Sequence, residues 1–489
     1  MNYVLFFPDE LRAKTLSCYG HPTVRTPAFD RLSREGVTFE DCHVQNPVCS
    51  PSRCCLFTGT YVHTLGHRTL WNLLKPHEHN LLETFKQAGY QVRVYGKNDL
   101  FSAEAAAAST DVFENRPAAA RAQPENTADY GQPGYYDFLY RPMAGSAEDT
   151  GDWANVEAGI DFIRSWKADD PPYVLFLPLT FPHCPYTAPE PFYSMYGEQD
   201  VAPLIPPGQG KAAYMELIRR YRQLDDPAAL RKIQALYMGM VSFTDRLLGR
   251  VMDALDEAGQ RQETVLIASS DHGDYAGDYG LVEKWPSGME DVLTHVPLII
   301  RAPGGAAGHR VREPVEMFDI MATCLDHAGL TAPYTYYARS LMPQSAIQAA
   351  PEGCAAKLAR LSSRYRLPLS ELFLSDVESG GRPVSPVWFG SSPEALRRLE
   401  ESFVPICRFA RQAGFRSIMG GAGREDPQLG FAGSFDQAAR ALARQTAIAA
   451  EFGLAFHVEP SRLSLLHTVK AALDMTQAAP GLRYTLDFL

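Results

Sequence analysis

Four short, nearly unbroken apolar runs, at 3–7, 173–179, 264–269 and 296–301, and a fifth strand candidate at 91–95, are separated by long stretches with helical spacing. Runs of that length without polar alternation read as strands covered on both faces. A chain achieves this when crossover helices pack on the two sides of a mostly parallel sheet. Helices are predicted over 27–35, 51–58, 80–88, 153–167 and 228–257, the last with Leu236, Met240, Phe243, Leu247 and Val251 near helical spacing. The alternation defines an α/β class, and in such sheets sites form beyond the carboxyl ends of the strands.

The chain has 489 residues, more than one ordinary domain holds, and its 45% hydrophobic content supplies a sizeable core. A net charge of −11 argues against a nucleic-acid partner, which calls for a basic stripe. An anionic substrate needs a local cluster of cations instead. Nine cysteines without the spacing of a disulfide scaffold read as thiols. No apolar run reaches the roughly 18 residues of a spanning helix, so no membrane partner is expected. The opening run 3–7 is too short for a signal peptide and has no cationic segment before it, so a cytoplasmic location is expected. Residues 102–150, rich in Ala, Pro, Gly and Asp, read as a surface excursion, and 201–210 as a loop.

Chemistry concentrates where strands end. Asp9-Glu10 follows the first run and Ser270-Asp271-His272-Gly273-Asp274 follows the fourth. Their side chains offer oxygen and imidazole donors that suit a divalent cation. Between them lies Cys49-Ser50-Pro51-Ser52-Arg53, with Pro51 suited to a first helical turn, which puts Cys49 at a helix N-terminus with Arg53 one turn later. Backbone N–H groups and a guanidinium both favour an anion there. Lys97, His183 and Lys284 add further cationic groups.

These segments resemble the type I sulfatases, of the alkaline-phosphatase-like superfamily, over residues 1–340. Cys49-x-Pro51-Ser52-Arg53 with Thr58-Gly59 resembles their activation motif, Asp271-His272-Gly273-Asp274 their metal box, and Phe181-Pro182-His183-Cys184-Pro185 their Pro-His-x-Pro motif. The resemblance implies an α/β sandwich with a mainly parallel central sheet. It implies that Cys49 is oxidised to formylglycine by a formylglycine-generating or anaerobic maturation enzyme, and that the hydrated aldehyde attacks the sulfur of a sulfate ester such as a sulfated sugar. It implies one divalent cation, Ca2+ first and Mn2+ or Mg2+ as alternatives, on Asp9, Glu10, Asp271, His272 and the modified Cys49. Arg53, Lys97, His183 and Lys284 complete the catalytic set, and His183 and Lys284 are both candidates for the general acid. Asn72 matches an asparagine that contacts the anion. Two departures stand out: Glu10 replaces Asp or Gln, and Asp99 replaces the histidine that follows the family's Gly-Lys pair, where it would contact a substrate hydroxyl or a cation. A phosphodiester or phosphonate hydrolase on the same fold is the alternative.

The pattern changes near Leu341. A catalytic domain is assigned to 1–342, a linker to 343–356, and a second domain to 357–489. There, strands near 371–375, 415–419 and 454–459 alternate with helices at 392–413, 434–452 and 463–478. This half resembles part of a sugar-phosphate isomerase/epimerase (β/α) barrel, through Gly414-Phe415-Arg416, Gly453-Leu454 to Glu459-Pro460, and Pro480-Gly481 to Asp487. The resemblance makes Glu459 and Asp487 a vestigial metal pair. A full barrel takes about 250 residues, so only part of one is present, and an inactive truncated fusion is a further alternative.

Overall fold

The computed structural model describes residues 1–118, 139, 141–208, 211–222, 226–285, 288–341, 371–373, 403–404, 406–412, 415–421, 430–459, 469–480 and 482–484. The chain divides into two compact units, Met1–Leu341 and Met342–Leu489.

The first unit is built on a nine-stranded sheet. Its strands are β1 (Asn2–Phe7), β2 (Val37–His43), β3 (Gln91–Tyr95), β4 (Val112–Glu114), β5 (Tyr173–Pro178), β6 (Thr264–Ser269), β7 (His295–Arg301), β8 (His309–Val311) and β9 (Val315–Glu316). The order is β4-β3-β5-β1-β6-β7-β2-β8, with β9 also on β2, and only β7 runs against its neighbours β6 and β2. The four central strands β3, β5, β1 and β6 are parallel and in register, with Phe7 opposite Pro178 and Phe6 opposite Ala268, so their carboxyl ends lie side by side.

All five strands predicted in this unit are present. Each of β1, β5, β6 and β7 is buried along its whole length, as strands covered on both faces must be. Alternate residues of β1 feed two cores. Val4 and Phe6 pack with helices Pro27–Glu35, Gly151–Ser165 and Pro227–Glu257. Tyr3, Leu5 and Phe7 pack with helices Cys49–Thr58, Leu81–Gln87 and Asp319–Ala328. The result is a three-layer α/β/α sandwich.

The excursion expected at 102–150 is partly regular. Ala103–Ser109 is a helix capped by the Ser102 hydroxyl, and it buries Ala105 and Ala106 in the second core. Its alanine-rich sequence carries no apolar period, which is why it reads as irregular, yet alanine is the best helix former. Residues 119–138 and 140 of that stretch lie outside the described residues.

The second unit holds a four-stranded, wholly parallel sheet of β10 (Glu371–Phe373), β11 (Ser417–Gly421), β12 (Ala455–Glu459) and β13 (Arg483–Tyr484), in chain order. Helices Gly430–Glu451 and Val469–Ala478 belong to the same unit, and Leu442, Ile448, Phe456, Val458 and Met475 share its core. The linker assigned to 343–356 lies outside the described residues, as do 392–402, 405 and 413 of the helix predicted over 392–413; residues 403–404 and 406–412 of that span are helical. Among the described residues no helix is long and apolar enough to cross a membrane, and the eight described cysteines form no disulfide.

One close approach tests the packing. Gly239 lies in the 31-residue helix Pro227–Glu257, where a Cβ would collide with the carbonyl oxygen of Phe192. That oxygen is backbone and cannot swing aside. Gly239→Ala is expected to lower the unfolding free energy by about 1–3 kcal/mol, the usual cost of overpacking, read by urea denaturation.

Candidate active site

Four parallel strands deliver the site. Asp9 and Glu10 follow β1, Lys97 follows β3, His183 lies five residues beyond β5, and Asp271 and His272 follow β6. Each segment is tied to its neighbour by backbone. Leu179 N–H donates to Phe7 (3.0 Å) and Lys97 N–H to Pro178 (2.7 Å). Gly96, at φ +141°, packs against that same Pro178 carbonyl, leaving no room for a Cβ.

Glu10 takes the left-handed conformation, with φ +66°. Its N–H donates to Asp271 Oδ1 (3.2 Å), and its carbonyl accepts from the Tyr237 hydroxyl (2.5 Å). Ser270 Oγ donates toward the Pro8 carbonyl (2.9 Å) and accepts from Leu11 N–H (2.9 Å). Tyr237 and Ser270 thus hold the strained turn that carries two carboxylates.

The Cys49–Thr58 helix is buried along its entire length and ends at Gly59 in the left-handed region. Cys49 stands at its first position, with Sγ 3.3 Å from His272 Nε2 and 3.7 Å from Asp9 Oδ1. One turn on, Arg53 is completely buried over the Phe7 ring, donating to Asp271 Oδ2 (2.9 Å) and Asp9 Oδ2 (3.0 Å). Ser52 Oγ donates to the Asp271 carbonyl (2.5 Å). Lys97 bridges Asp9 (2.6 Å) and Asp99 (2.8 Å). Lys284 donates to Glu10 (2.7 Å) and lies 3.0 Å from His183 Nε2.

Both histidines have a defined donor side. His272 Nδ1–H donates to the Gly273 carbonyl (2.8 Å) and His183 Nδ1–H to that of Cys184 (2.5 Å). Each therefore turns Nε2 to the site. The His183 loop is held by Asp152, whose carboxylate accepts from the N–H groups of Thr180 (2.9 Å) and Phe181 (2.7 Å).

Burial alone would push the carboxylates toward neutrality. It is outweighed at Asp9 by Lys97 and Arg53, which hold it well below the usual range, and at Glu10 by His183 and Lys284, which bring it to about 2. Burial disfavours charge on His183, but Glu10 reverses this and lifts it to about 9. Burial and Asp9 together push the Cys49 thiol up to about 11. A thiol so protonated makes a poor nucleophile as it stands.

The donor set fits a divalent ion. Ligand atoms of Asp9, Cys49, Asp271 and His272 lie within 4.8 Å of one another, and a second such group comprises Asp9, Glu10 and His183. Glu10 Oε2 is buried with no hydrogen-bond partner, a cost relieved by a cation. The tautomer fixed on His272 leaves the Nε2 lone pair free to ligate.

Nine of the residues read from sequence thus come together: Asp9, Glu10, Cys49, Arg53, Lys97, His183, Asp271, His272 and Lys284, with Asp99 joined through Lys97. Asn72 is placed differently. It is exposed, and its Oδ1 accepts from Thr69 Oγ1 (2.8 Å) within a tight turn. Glu459 closes β12, opposite Gly421 of β11, while Asp487 lies outside the described residues. Sequence reading missed Tyr237 and Asp152. Each acts through backbone groups distant in the chain, which leaves no local signal.

The sequence model of the sulfatase family matches residues 1–330, and the chain belongs to that family. Arylsulfatase K of Homo sapiens is 26% identical over 363 residues, covering 70% of this chain and 66% of that protein. Arylsulfatase of Clostridium perfringens is 27% identical, covering 68% and 76% respectively. The chain spans 62–66% of the length of the mammalian Arylsulfatase K relatives it matches. Among solved structures, a phosphonate monoester hydrolase of Agrobacterium radiobacter superposes with a TM-score of 0.57 at 24% identity, covering 70% of this chain and 76% of the other. A protein solved with its substrate D-glucosamine-2-N,6-O-disulfate gives 0.55 at 21%, covering 70% and 79%. At these identities the likeness is one of fold.

Arg53 is the cation shared by the buried Asp9 and Asp271. Arg53→Met removes one partner and leaves two close carboxylates. It is expected to cost about 3–5 kcal/mol in metal-free buffer, read by urea denaturation.

Proposed function

We propose that this protein hydrolyses sulfate esters, those of sulfated sugars, through a formylglycine made from Cys49 and one divalent cation, within a catalytic unit at 1–342. The observation that carries the reading is the convergence of Cys49, at a helix N-terminus, with Asp9, Asp271 and His272 at the ends of adjacent parallel strands, ringed by Arg53, Lys97, His183 and Lys284.

Asp9, Glu10, Asp271 and His272 would hold the ion beside position 49. Carboxylate oxygens outnumber nitrogen in this set, which favours a hard cation and Ca2+ first, with Mn2+ and Mg2+ as alternatives. When bound, the ion and the aldehyde hydrate together supply a nucleophilic oxygen at neutral pH and stabilise charge on the sulfuryl oxygens. Charge supports an anionic substrate. Four carboxylates, Asp9, Glu10, Asp99 and Asp271, face four positive groups, Arg53, Lys97, Lys284 and the raised imidazole of His183. A divalent ion tips this balance to two positive charges, which draws and orients an anion.

His183 carries a proton on Nε2 and is partly open to solvent, whereas Lys284 is buried against Glu10. We assign His183 as the donor to the leaving oxygen and Lys284 as a fixed charge that orients it. We assign Asp99, paired with the partly exposed Lys97, as the acceptor of a substrate hydroxyl.

Three measurements test this. Mass spectrometry of the Cys49 peptide from the native host is expected to show a loss of about 18 Da, thiol replaced by aldehyde; an unmodified thiol in active protein would rule the nucleophile out. His183→Ala is expected to lower kcat by about 10²- to 10⁴-fold on an alkyl sulfate. The loss should be much smaller on an aryl sulfate whose leaving group needs no proton; equal losses on both would remove His183 as the acid. Chelation is expected to abolish turnover and lower Tm, with Ca2+ restoring both. Faster cleavage of a phosphodiester than of a sulfate with the same leaving group would instead favour a phosphodiester or phosphonate hydrolase.

A further inference from the structure

Trp71 is 87% exposed, the most exposed large hydrophobic side chain among the described residues. Tryptophan is on average one of the more buried residue types, so so open an indole calls for a role. It does not sit on a loose loop. Trp71 N–H donates to Thr69 Oγ1 (3.3 Å), Asn72 N–H to the Thr69 carbonyl (3.1 Å), and His67 Nδ1–H to the Asn72 carbonyl (2.6 Å). The turn is built to present the ring.

Two further ties fix where the turn lies. On one side, Ser50 Oγ donates to the Leu70 carbonyl (3.1 Å), joining the residue after Cys49 to the residue before Trp71. On the other, Leu74 pairs with the segment that follows Lys97 and Asp99: its N–H donates to Leu100 (2.8 Å), and its carbonyl accepts from Ser102 (2.9 Å). The turn therefore spans from the N-terminus of the Cys49 helix to the Lys97–Asp99 segment. Lys97 and Asp99 keep 24% and 22% of their side-chain surface exposed, so the buried cluster reaches solvent on this side, as it does at His183.

We infer that Trp71 is a stacking platform for the sugar ring that carries the sulfate, working with Asp99 as the hydroxyl acceptor. The inference rests on reading the site as one for sulfated carbohydrates. A pyranose has an apolar face of C–H groups and a rim of hydroxyls. An exposed indole binds the first with little entropy cost, and a carboxylate held by a lysine binds the second. This pairing selects a ring over a small acyclic sulfate.

The test is equilibrium titration of the full chain in a Cys49→Ala background, where no turnover occurs. The probes are the 6-sulfates of glucose, galactose and glucosamine, with methyl sulfate as the ringless comparison, followed by tryptophan fluorescence and calorimetry. Sugar binding is expected to quench fluorescence, and Trp71→Ala to weaken it about five- to tenfold while methyl sulfate affinity stays within twofold. Trp71→Phe should recover most of the loss. Unchanged sugar affinity in Trp71→Ala overturns the inference, as does a parent protein that binds no sulfated sugar better than methyl sulfate. Quenching and weakening as expected, with no turnover by the Cys49-matured enzyme, uphold the platform and remove the hydrolase reading instead.

Discussion

Arg53 is the member on which the rest of the site depends. Its guanidinium, without solvent contact, reaches Asp9 at the end of β1 and Asp271 beyond β6, and its helix begins with Cys49. Three segments far apart in sequence are thereby fixed by one side chain. The planar fork suits two carboxylates at once, a geometry lysine cannot supply. Because two acids share one buried cation, neither is neutralised fully. Lys97 joins Asp9 for the same reason, and Lys284 repeats the arrangement with Glu10. The cluster is an alternating lattice of charges whose net sign one added ion decides.

Much of the first unit was legible because its central strands β1, β5 and β6 are buried along their whole length and nearly free of polar interruption. β1, β5 and β6 could be read for that reason, and the residues after them followed from the rule about strand ends. What escaped was the sheet's edge. β2, Val-Thr-Phe-Glu-Asp-Cys-His, is half polar, and β8 and β9 are three and two residues long. Such strands exist only because a neighbour offers hydrogen bonds. The same holds within the site. Donors and acceptors of charge announce themselves by residue type, whereas Tyr237 and Asp152 act on backbone groups of Glu10 and Thr180 that sequence alone does not bring near. Asn72 is a different case, a residue matched by position that lies exposed in a turn with its Oδ1 accepting from Thr69.

The second unit repeats the parallel logic. Its strands pair in chain order, and β11 and β12 share five matched positions that end at Gly421 and Glu459. Small residues line the buried side of its long helix, Ala438, Ala439, Ala441 and Ala449 among them, allowing close approach to the sheet.

The site's members are numbered from Asp9 to Lys284, and its contacts join residues as many as 274 positions apart. Such a site has very high contact order. A fragment that stops short of β6 lacks Asp271, His272 and Lys284, and a nascent chain meets its own first carboxylates again only after most of the unit has been made. Ion affinity at the proposed site would therefore report on completed topology: a partly folded chain offers scattered acids, and only the finished sheet turns them into one address.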